Sequence, residues 1–576
     1  MKSILLLFAS LLVSLSVAAV PAKRIKRVIT LSDGSKIEAV FRGDENVHFF
    51  EAEDGSRYQE MSDGCYAKVR NSVIDSIWNE KLCARNRLRS ERYSSFRASM
   101  NVGDRNFKDG LHKATWSATS NPISGKRKGL VILAQFPNKK FRSKHDNAFF
   151  QRFFNEEGFS ENNMGGSVHD FFLESSYGKF YLTFDVVGPV NVSKNYDYYG
   201  KNDSNGDDVA ACEFVSEAVH LAIEQGLDFS DYDWDNDGYV DQVFIVFAGY
   251  SEAAGAASNT LWPHEWELSA GKYYGDGDGP IIVGDKIVDT YAISSELTGI
   301  SGSVIDGIGT ACHEFSHCLG LPDFYDVNGD NFGMDMWDLL DYGCYAGENM
   351  SGECPIGYTS YERMYCGWLQ PKELEDYTEV NALYCLKDSA DAYIIYNKKY
   401  KNEYYLLENR QLDGFFRYGY GHGMLVLHVD FDKNSWIDNS VNGTASHQRM
   451  TIIPADNSCK SSPYYSTNYV GDTYPGSKKN TSLTDTSKPA ATLYNKNSDG
   501  RKYMGYPIRD IAESADGIIS FVAGERQESS IENVGSEDVK DRSASNVLYD
   551  LQGRRVSPAY RGITVSNGKK IMGLCN

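Results

Sequence analysis

The sequence predicts a multidomain chain in which an α/β (α+β) core lies between two β-rich units. Three observations carry this. Residues 27–70 alternate apolar and polar in strand fashion, with Asp-Gly turns at Asp33-Gly34, Asp54-Gly55 and Asp63-Gly64. Two continuous apolar runs, Leu130–Ala134 and Val243–Phe247, read as buried strands, with helical periodicity between them at Val168–Ser175 and at Phe214, Ala218, Leu221 and Ala222. From about residue 371 the pattern changes to short strands, 392–396, 404–408 and 424–429, separated by Gly- and Asn-rich turns, as in a β-sandwich.

Taken in order, residues 1–22 have the layout of a secretory signal peptide. Lys2 precedes an apolar run from Ile4 to Val13, and small residues follow around Val17-Ala18-Ala19. That run is broken by serines and too short for a membrane span, and nothing later reaches about 18 apolar residues. The expected product is secreted or at the cell surface, with no transmembrane segment. Residues 23–124 comprise the small β unit and a basic stretch rich in Arg, Ser and Asn, open to nicking by proteases. The core is expected over 125–370, the β-sandwich over 371–525, a polar linker over 526–545 and a short Gly-punctuated β segment over 546–576.

Composition narrows the partners. With 58 Lys+Arg against 79 Asp+Glu, the 576-residue chain carries a formal charge of −21, which repels phosphate backbones and excludes nucleic acid as an expected partner. Eleven cysteines are too sparse for a disulfide scaffold, and the odd count leaves at least one thiol unpaired within a monomer.

The strongest chemical signal is His313-Glu314-Phe315-Ser316-His317. Two imidazoles four residues apart on a helix share one face, which suits two ligands of a tetrahedral Zn²⁺, and Glu314 is placed as the general base toward water polarised by the metal. Gly320 gives the helix a left-handed exit and Pro322 stops it continuing, so the chain can turn back. Asp323, six residues after His317, stands at the third-ligand position of the metzincin arrangement. Cys312 and Cys318 flank the motif; six helical residues rise about 9 Å, too far for a bridge, so both read as small buried hydrophobes.

His313–Asp326, followed by Trp337-Asp338-Leu339-Leu340-Asp341-Tyr342-Gly343, resembles the immune-inhibitor-A-type (M6) secreted metalloproteases. So do Ser175–Gly178, Asp233–Asp241, Trp262-Pro263-His264, Gly367-Trp368, Leu407–Arg410, His428-Val429-Asp430 and Gly471–Gly476. The resemblance spans roughly 125–525, and Gly43-Asp44-Glu45 with Glu53-Asp54-Gly55 resembles the family's propeptide. It implies a metzincin-like zinc protease domain behind a propeptide. One position departs: the family usually has Met in the turn beneath the metal, and the aligned residue here is Leu340, with Met334 and Met336 out of register. Tyr342 occupies the position where some metzincins carry a tyrosine that contacts the metal or the oxyanion; packing is its other reading. His264 and His428 are assigned to structure, not metal.

Asp233, Asp235, Asp237, Tyr239 and Asp241, with Gly238 at loop position 6, have the spacing of a Ca²⁺-wrapping loop; position 12 is Phe244 in place of a bidentate Glu, and a solvated acidic turn is the plainer alternative. Asp326, Asn328 and Asp330 read as a turn first and a second ion site second. Cys65 is a candidate for a thiolate that covers the zinc until the propeptide is cut, with Cys83 able to do the same and a buried or disulfide-bonded pair as the alternative. The tail from Val547 is similar to C-terminal sorting segments of Bacteroidetes proteins that use type IX secretion, which would make secretion machinery a partner; a capping hairpin fits as well. The expected function is a zinc metalloendopeptidase acting on protein or peptide substrates and made as a latent precursor. The alternative is a catalytically impaired binding or adhesion protein on a calcium-stabilised protease scaffold.

Overall fold

The computed structural model describes residues 18–61, 63–74, 76–77, 123–203, 206–326, 331–444, 446–459, 469–526, 548–551, 554–556, 563–566 and 569–572. The start of the leader, most of the basic stretch with Cys83, Asn328, Asp330 and most of the 526–545 linker lie outside the described residues.

A short strand β1 (Ala18–Ala19) precedes five strands, β2 (Lys26–Thr30), β3 (Lys36–Gly43), β4 (His48–Ala52), β5 (Arg57–Glu60) and β6 (Tyr66–Val69). These five form an antiparallel meander in sequence order, and the three Asp-Gly pairs make the β2–β3, β4–β5 and β5–β6 turns.

The central sheet is built from β7 (Gly125–Gln135), β8 (Phe180–Asn191), β9 (Val243–Tyr250), β10 (His264–Glu267) and β13 (Thr290–Leu297), beside a separate hairpin of β11 (Ile281–Val283) and β12 (Lys286–Val288). Its order is β1-β10-β13-β9-β7-β8. The four strands β13, β9, β7 and β8 run parallel, β10 is antiparallel to β13, and β1 is antiparallel to β10. The parallel centre explains the unbroken apolar runs, because both faces are covered. Leu130, Ile132 and Ala134 of β7 pack with helix Ala211–Glu224 on one face, and Val131 and Leu133 pack with helices Asn147–Asn155, Val168–Ser175 and Ile308–Cys318 on the other.

Beyond residue 370, β14 (Lys372–Glu373), β16 (Tyr393–Tyr396), β17 (Glu403–Arg410), β18 (Gly423–Asp430) and β19 (Met450–Ile452) form one sheet. A second sheet contains β15 (Thr378–Leu383), β21 (Ile519–Ala523) and β20 (Ile508–Glu513). Alternation along β17 decides the packing: Tyr405 and Leu407 face the second sheet's core, and Tyr404 and Leu406 join the core that also contains Phe315, Trp337 and Leu340. Ile29, Phe41 and Phe50 of the N-terminal meander enter that same core. The changes of pattern near residues 124 and 370 are therefore changes of topology, not breaks in packing, and residues up to Glu525 make one compact unit. Arg526–Asn576 make a second, in which β22 (Leu548–Tyr549), β23 (Arg555–Val556), β24 (Ile563–Ser566) and β25 (Lys569–Met572) pair in the order β23-β22-β24-β25. Among the described residues no helix is long and apolar enough to cross a membrane.

Candidate metal centre

Helix Ile308–Cys318 is pressed against the turn Tyr342–Tyr345 so closely that a Cβ at Gly309 would lie 1.8 Å from the Cys344 carbonyl oxygen. Only glycine allows this approach, and it sets the height of the helix over the turn. His313 and His317 stack edge to face with ring centres 4.7 Å apart. Each ring is fixed from behind: Nδ1–H of His313 donates to the Leu339 carbonyl at 2.8 Å, and Nδ1–H of His317 to the Leu321 carbonyl at 2.7 Å. With the proton on Nδ1, each Nε2 presents a lone pair to the site.

The helix ends where Gly320 takes φ +90°, and the reversed chain delivers Asp323. Its Oδ1 lies 3.0 Å from His313 Nε2 and 3.4 Å from His317 Nε2. All three atoms are buried, lie within 4.8 Å of one another and have no hydrogen-bond partner. Two lone pairs and a carboxylate facing one point in a dry interior repel one another unless a cation sits among them, and two imidazoles with one carboxylate are a donor set that zinc accepts. The residues fit the metal that the motif implies.

Burial raises the pKa of Asp323, but positive charge on the facing imidazole nitrogens outweighs it and holds the carboxyl well below the usual carboxylate range, so the three atoms favour a cation, proton or metal, among them. Burial lowers His313, with Asp323 opposing. Glu314 is pushed far up by burial and by the Asp323 charge, against a hydrogen bond from the Val20 amide, which donates to Glu314 Oε1 at 2.8 Å.

Leu340 is fully buried; its N–H donates to Asp338 Oδ1 and its carbonyl accepts the Phe324 N–H, both at 2.8 Å. Met334 and Met336 pack in the same core. Tyr342 is buried with the Arg24 guanidinium 3.5 Å over its ring. Cys65 sits in the β5–β6 turn, where its N–H bonds Asp63 Oδ1 at 2.9 Å, and the converging ligand group contains no cysteine. What reaches Glu314 from the N-terminal region is the Val20 amide. Of the two cysteines that flank the motif, Cys312 is buried and Cys318 partly so.

His264 donates or accepts between the Trp262 carbonyl (2.7 Å) and Tyr291 (2.9 Å), and burial pulls its pKa down to about 4. His428 pairs with Glu403 at 3.0 Å.

In the acidic loop, the carboxylates of Asp233, Asp235 and Asp237 converge to within 4.8 Å. Asp241 lies outside that group and accepts the Trp234 N–H, and the Tyr239 N–H bonds Asp237. The Lys286 ammonium, on β12, reaches Asp233 Oδ2 at 2.8 Å.

One participant, Asn439, carried no sequence signal, and Tyr325 and Trp262 stood out only as members of family-like stretches. Asn439 both accepts the Asp323 N–H (2.7 Å) and donates to Asp323 Oδ2 (2.6 Å) from 116 residues away. Tyr325, two residues past Asp323, donates to the Ala19 carbonyl at 2.8 Å, and Trp262 Nε1 donates to the Val20 carbonyl at 3.1 Å.

Residues 126–370 match the family described as immune inhibitor A peptidase M6, catalytic domain. A pre-pro-metalloprotease, PrtV, of Vibrio cholerae serotype O1 is 24% identical over 295 residues, which is 44% of this chain and 31% of that relative. An immune inhibitor A of Bacillus thuringiensis subsp. alesti is 24% identical over 280 residues, 42% of this chain and 39% of that relative. The chain thus spans well under half the length of these relatives.

Proposed function

We propose, from the premise that residues 126–370 belong to the immune inhibitor A peptidase M6 family, that the chain is a secreted zinc-dependent endopeptidase made as a latent precursor. The observation that carries it is the convergence of His313 Nε2, His317 Nε2 and Asp323 Oδ1, buried and without other partners. His313, His317 and Asp323 would hold the zinc, which supplies Lewis acidity toward water and the scissile carbonyl. Glu314, one residue round the helix from His313, takes a proton from water at Oε1 or Oε2 and returns it to the leaving amine nitrogen. That Oε1 already accepts a peptide N–H supports this placement, since the leaving group of a peptide bond is such a nitrogen. Tyr342 is the candidate for contact with the developing oxyanion. Substrates are proteins or peptides, and a structural Ca²⁺ at Asp233, Asp235 and Asp237 belongs to the same proposal.

The test measures zinc content and hydrolysis of an unfolded protein by the processed chain and by Glu314→Ala. One zinc in both, with activity in the first alone, is expected. A processed wild type that binds no zinc overturns the reading.

A further inference from the structure

The segment that runs into the turn beneath the metal centre carries a buried anion. Asp335 stands four residues before Leu339, whose carbonyl fixes His313. Its backbone is held at φ +46°, a left-handed conformation that a residue with a Cβ adopts only when its surroundings impose it. Asp341 imposes it: Oδ2 accepts the Met334 N–H at 2.9 Å and the Asp335 N–H at 2.7 Å, and Oδ1 accepts the Tyr342 N–H at 2.8 Å. The Asp335 side chain has no solvent exposure. The Tyr469 hydroxyl donates to its Oδ1 at 2.8 Å, and Tyr420 lies against Tyr469 with ring centres 4.7 Å apart. A fixed carboxylate therefore sits among aromatic side chains.

Arg24 shows what this slot accepts. Its Nη1 donates to Asp335 Oδ1 at 3.1 Å and its Nη2 to Oδ2 at 3.0 Å, while the guanidinium lies 3.5 Å from the centre of the Tyr342 ring. The Arg24 side chain is 19% exposed, so the slot opens to solvent on one side. A planar fork on a carboxylate, laid over an aromatic ring, suits arginine; lysine brings a point charge with no face to stack. Arg24 lies in residues 23–124, which processing removes. Asp335 would then be a buried carboxylate without a cation, and that is unfavourable until a new cation arrives. We infer that Asp335, Tyr342 and Tyr469 form a subsite for an arginine side chain of the substrate, which makes the substrate class proteins with arginine at a fixed position from the cut bond. The Val20 N–H meets Glu314 and Arg24 follows four residues later, a span of at most about 14 Å in extended chain, so one peptide can engage both. The formal charge of −21 favours the approach of such cationic substrates.

The inference rests on the peptidase reading, and two experiments separate them. In the first, Nα-acetyl-arginine methylamide, its lysine counterpart and its citrulline counterpart, which keeps the shape and lacks the charge, are titrated calorimetrically into the full-length Arg24→Ala chain, with and without Asp335→Asn. In the second, the processed, zinc-loaded wild type digests an unfolded protein, and the cut sites are mapped by mass spectrometry. Peptides with arginine or citrulline at the position so found are then compared in kcat/KM. The arginine compound is expected to bind Arg24→Ala at least about tenfold tighter than either counterpart, and to lose that advantage with Asp335→Asn. Arginine should be enriched at one fixed position from the cut, and the arginine-to-citrulline ratio of kcat/KM should fall at least about tenfold with Asp335→Asn. Equal affinity for the arginine compound and either counterpart, or an active wild type whose cuts show no fixed arginine position, overturns the inference and leaves the peptidase reading standing. The compounds are compared within one protein and the cuts are mapped on the wild type, so neither result depends on the folding of Asp335→Asn. If the zinc-loaded chain cleaves nothing, the peptidase reading falls, and the titration alone decides whether the slot takes arginine.

Discussion

Asn439 grips Asp323 in both directions, accepting its backbone N–H at 2.7 Å and donating to its carboxylate Oδ2 at 2.6 Å. The free oxygen, Oδ1, is thereby turned to the two histidines. A residue behind a metal ligand sets both its orientation and its basicity, and losing one weakens metal binding by roughly 10- to 100-fold. Asn439→Ala should show that loss in a chelator competition, with the fold retained by circular dichroism. An unchanged zinc affinity would mean that Asp323 is positioned by the backbone alone.

Gly320 makes the reversal that delivers Asp323. Its φ of +90° is strained for any other residue, and a Cβ there would lie 2.6 Å from the Tyr365 hydroxyl oxygen, which itself donates to the Gly320 carbonyl. Gly320→Ala is expected to cost about 1–3 kcal/mol of stability, read as a lower urea midpoint. Zinc affinity should fall with it, because the strain is relieved by moving the Asp323 loop.

The local part of this site was legible because helical spacing alone places His313, Glu314 and His317, and Gly320 with Pro322 forces the return. The meander was legible for the same reason: its turns are Asp-Gly pairs between alternating strands. Contacts made across long separations were not. Asn439 sits in a polar stretch, 432–443, with no motif spacing to mark it. Trp337 and Asp472 stood out as parts of two family-like stretches, and only the fold shows that the indole donates to the carboxylate at 2.8 Å. The partners of Val20-Pro21-Ala22 were not legible either: the Val20 N–H donates to Glu314 and the Tyr345 hydroxyl to the Pro21 carbonyl, across 294 and 324 residues of sequence.

Leu340 replaces the methionine usual at its position, and its buried side chain shares a core with Met334 and Met336. Its two backbone bonds do not depend on the side chain. Leu340→Met is a swap of similar volume costing less than about 1.5 kcal/mol, so activity should change by less than tenfold. A hundredfold rise would identify the natural chain as a weakened enzyme and favour a binding role.

At the acidic loop the ammonium of Lys286 already offsets part of the charge of Asp233, Asp235 and Asp237. Millimolar Ca²⁺ is expected to raise the Tm of the full chain, Lys286→Met to enlarge that rise, and Asp237→Asn to abolish it, all by scanning calorimetry. No Ca²⁺ effect in either the wild type or Lys286→Met would make the loop a lysine-braced turn.

The last prediction concerns pH. Asp472 is buried, and burial pushes its carboxyl up to about 8, with Asp456 and Asp335 adding to the rise and the Trp337 indole opposing it. Its ordinary value is 3.8, so in the unfolded chain the proton leaves first. The contribution to stability is therefore full below pH 3.8 and erodes as pH rises toward 8, the folded state having bound the extra proton. Asp472→Asn keeps a carbonyl oxygen to accept from Trp337 and removes the titration. The difference in Tm, variant minus wild type, should grow from pH 5 to pH 8 by about 2 °C or more. Asp341, whose carboxyl burial also raises to about 8, is present in both proteins and cancels in the difference. A gap that stays flat or narrows over that range would mean that Asp472 is ionised in the fold and that a countercharge, not a proton, balances it.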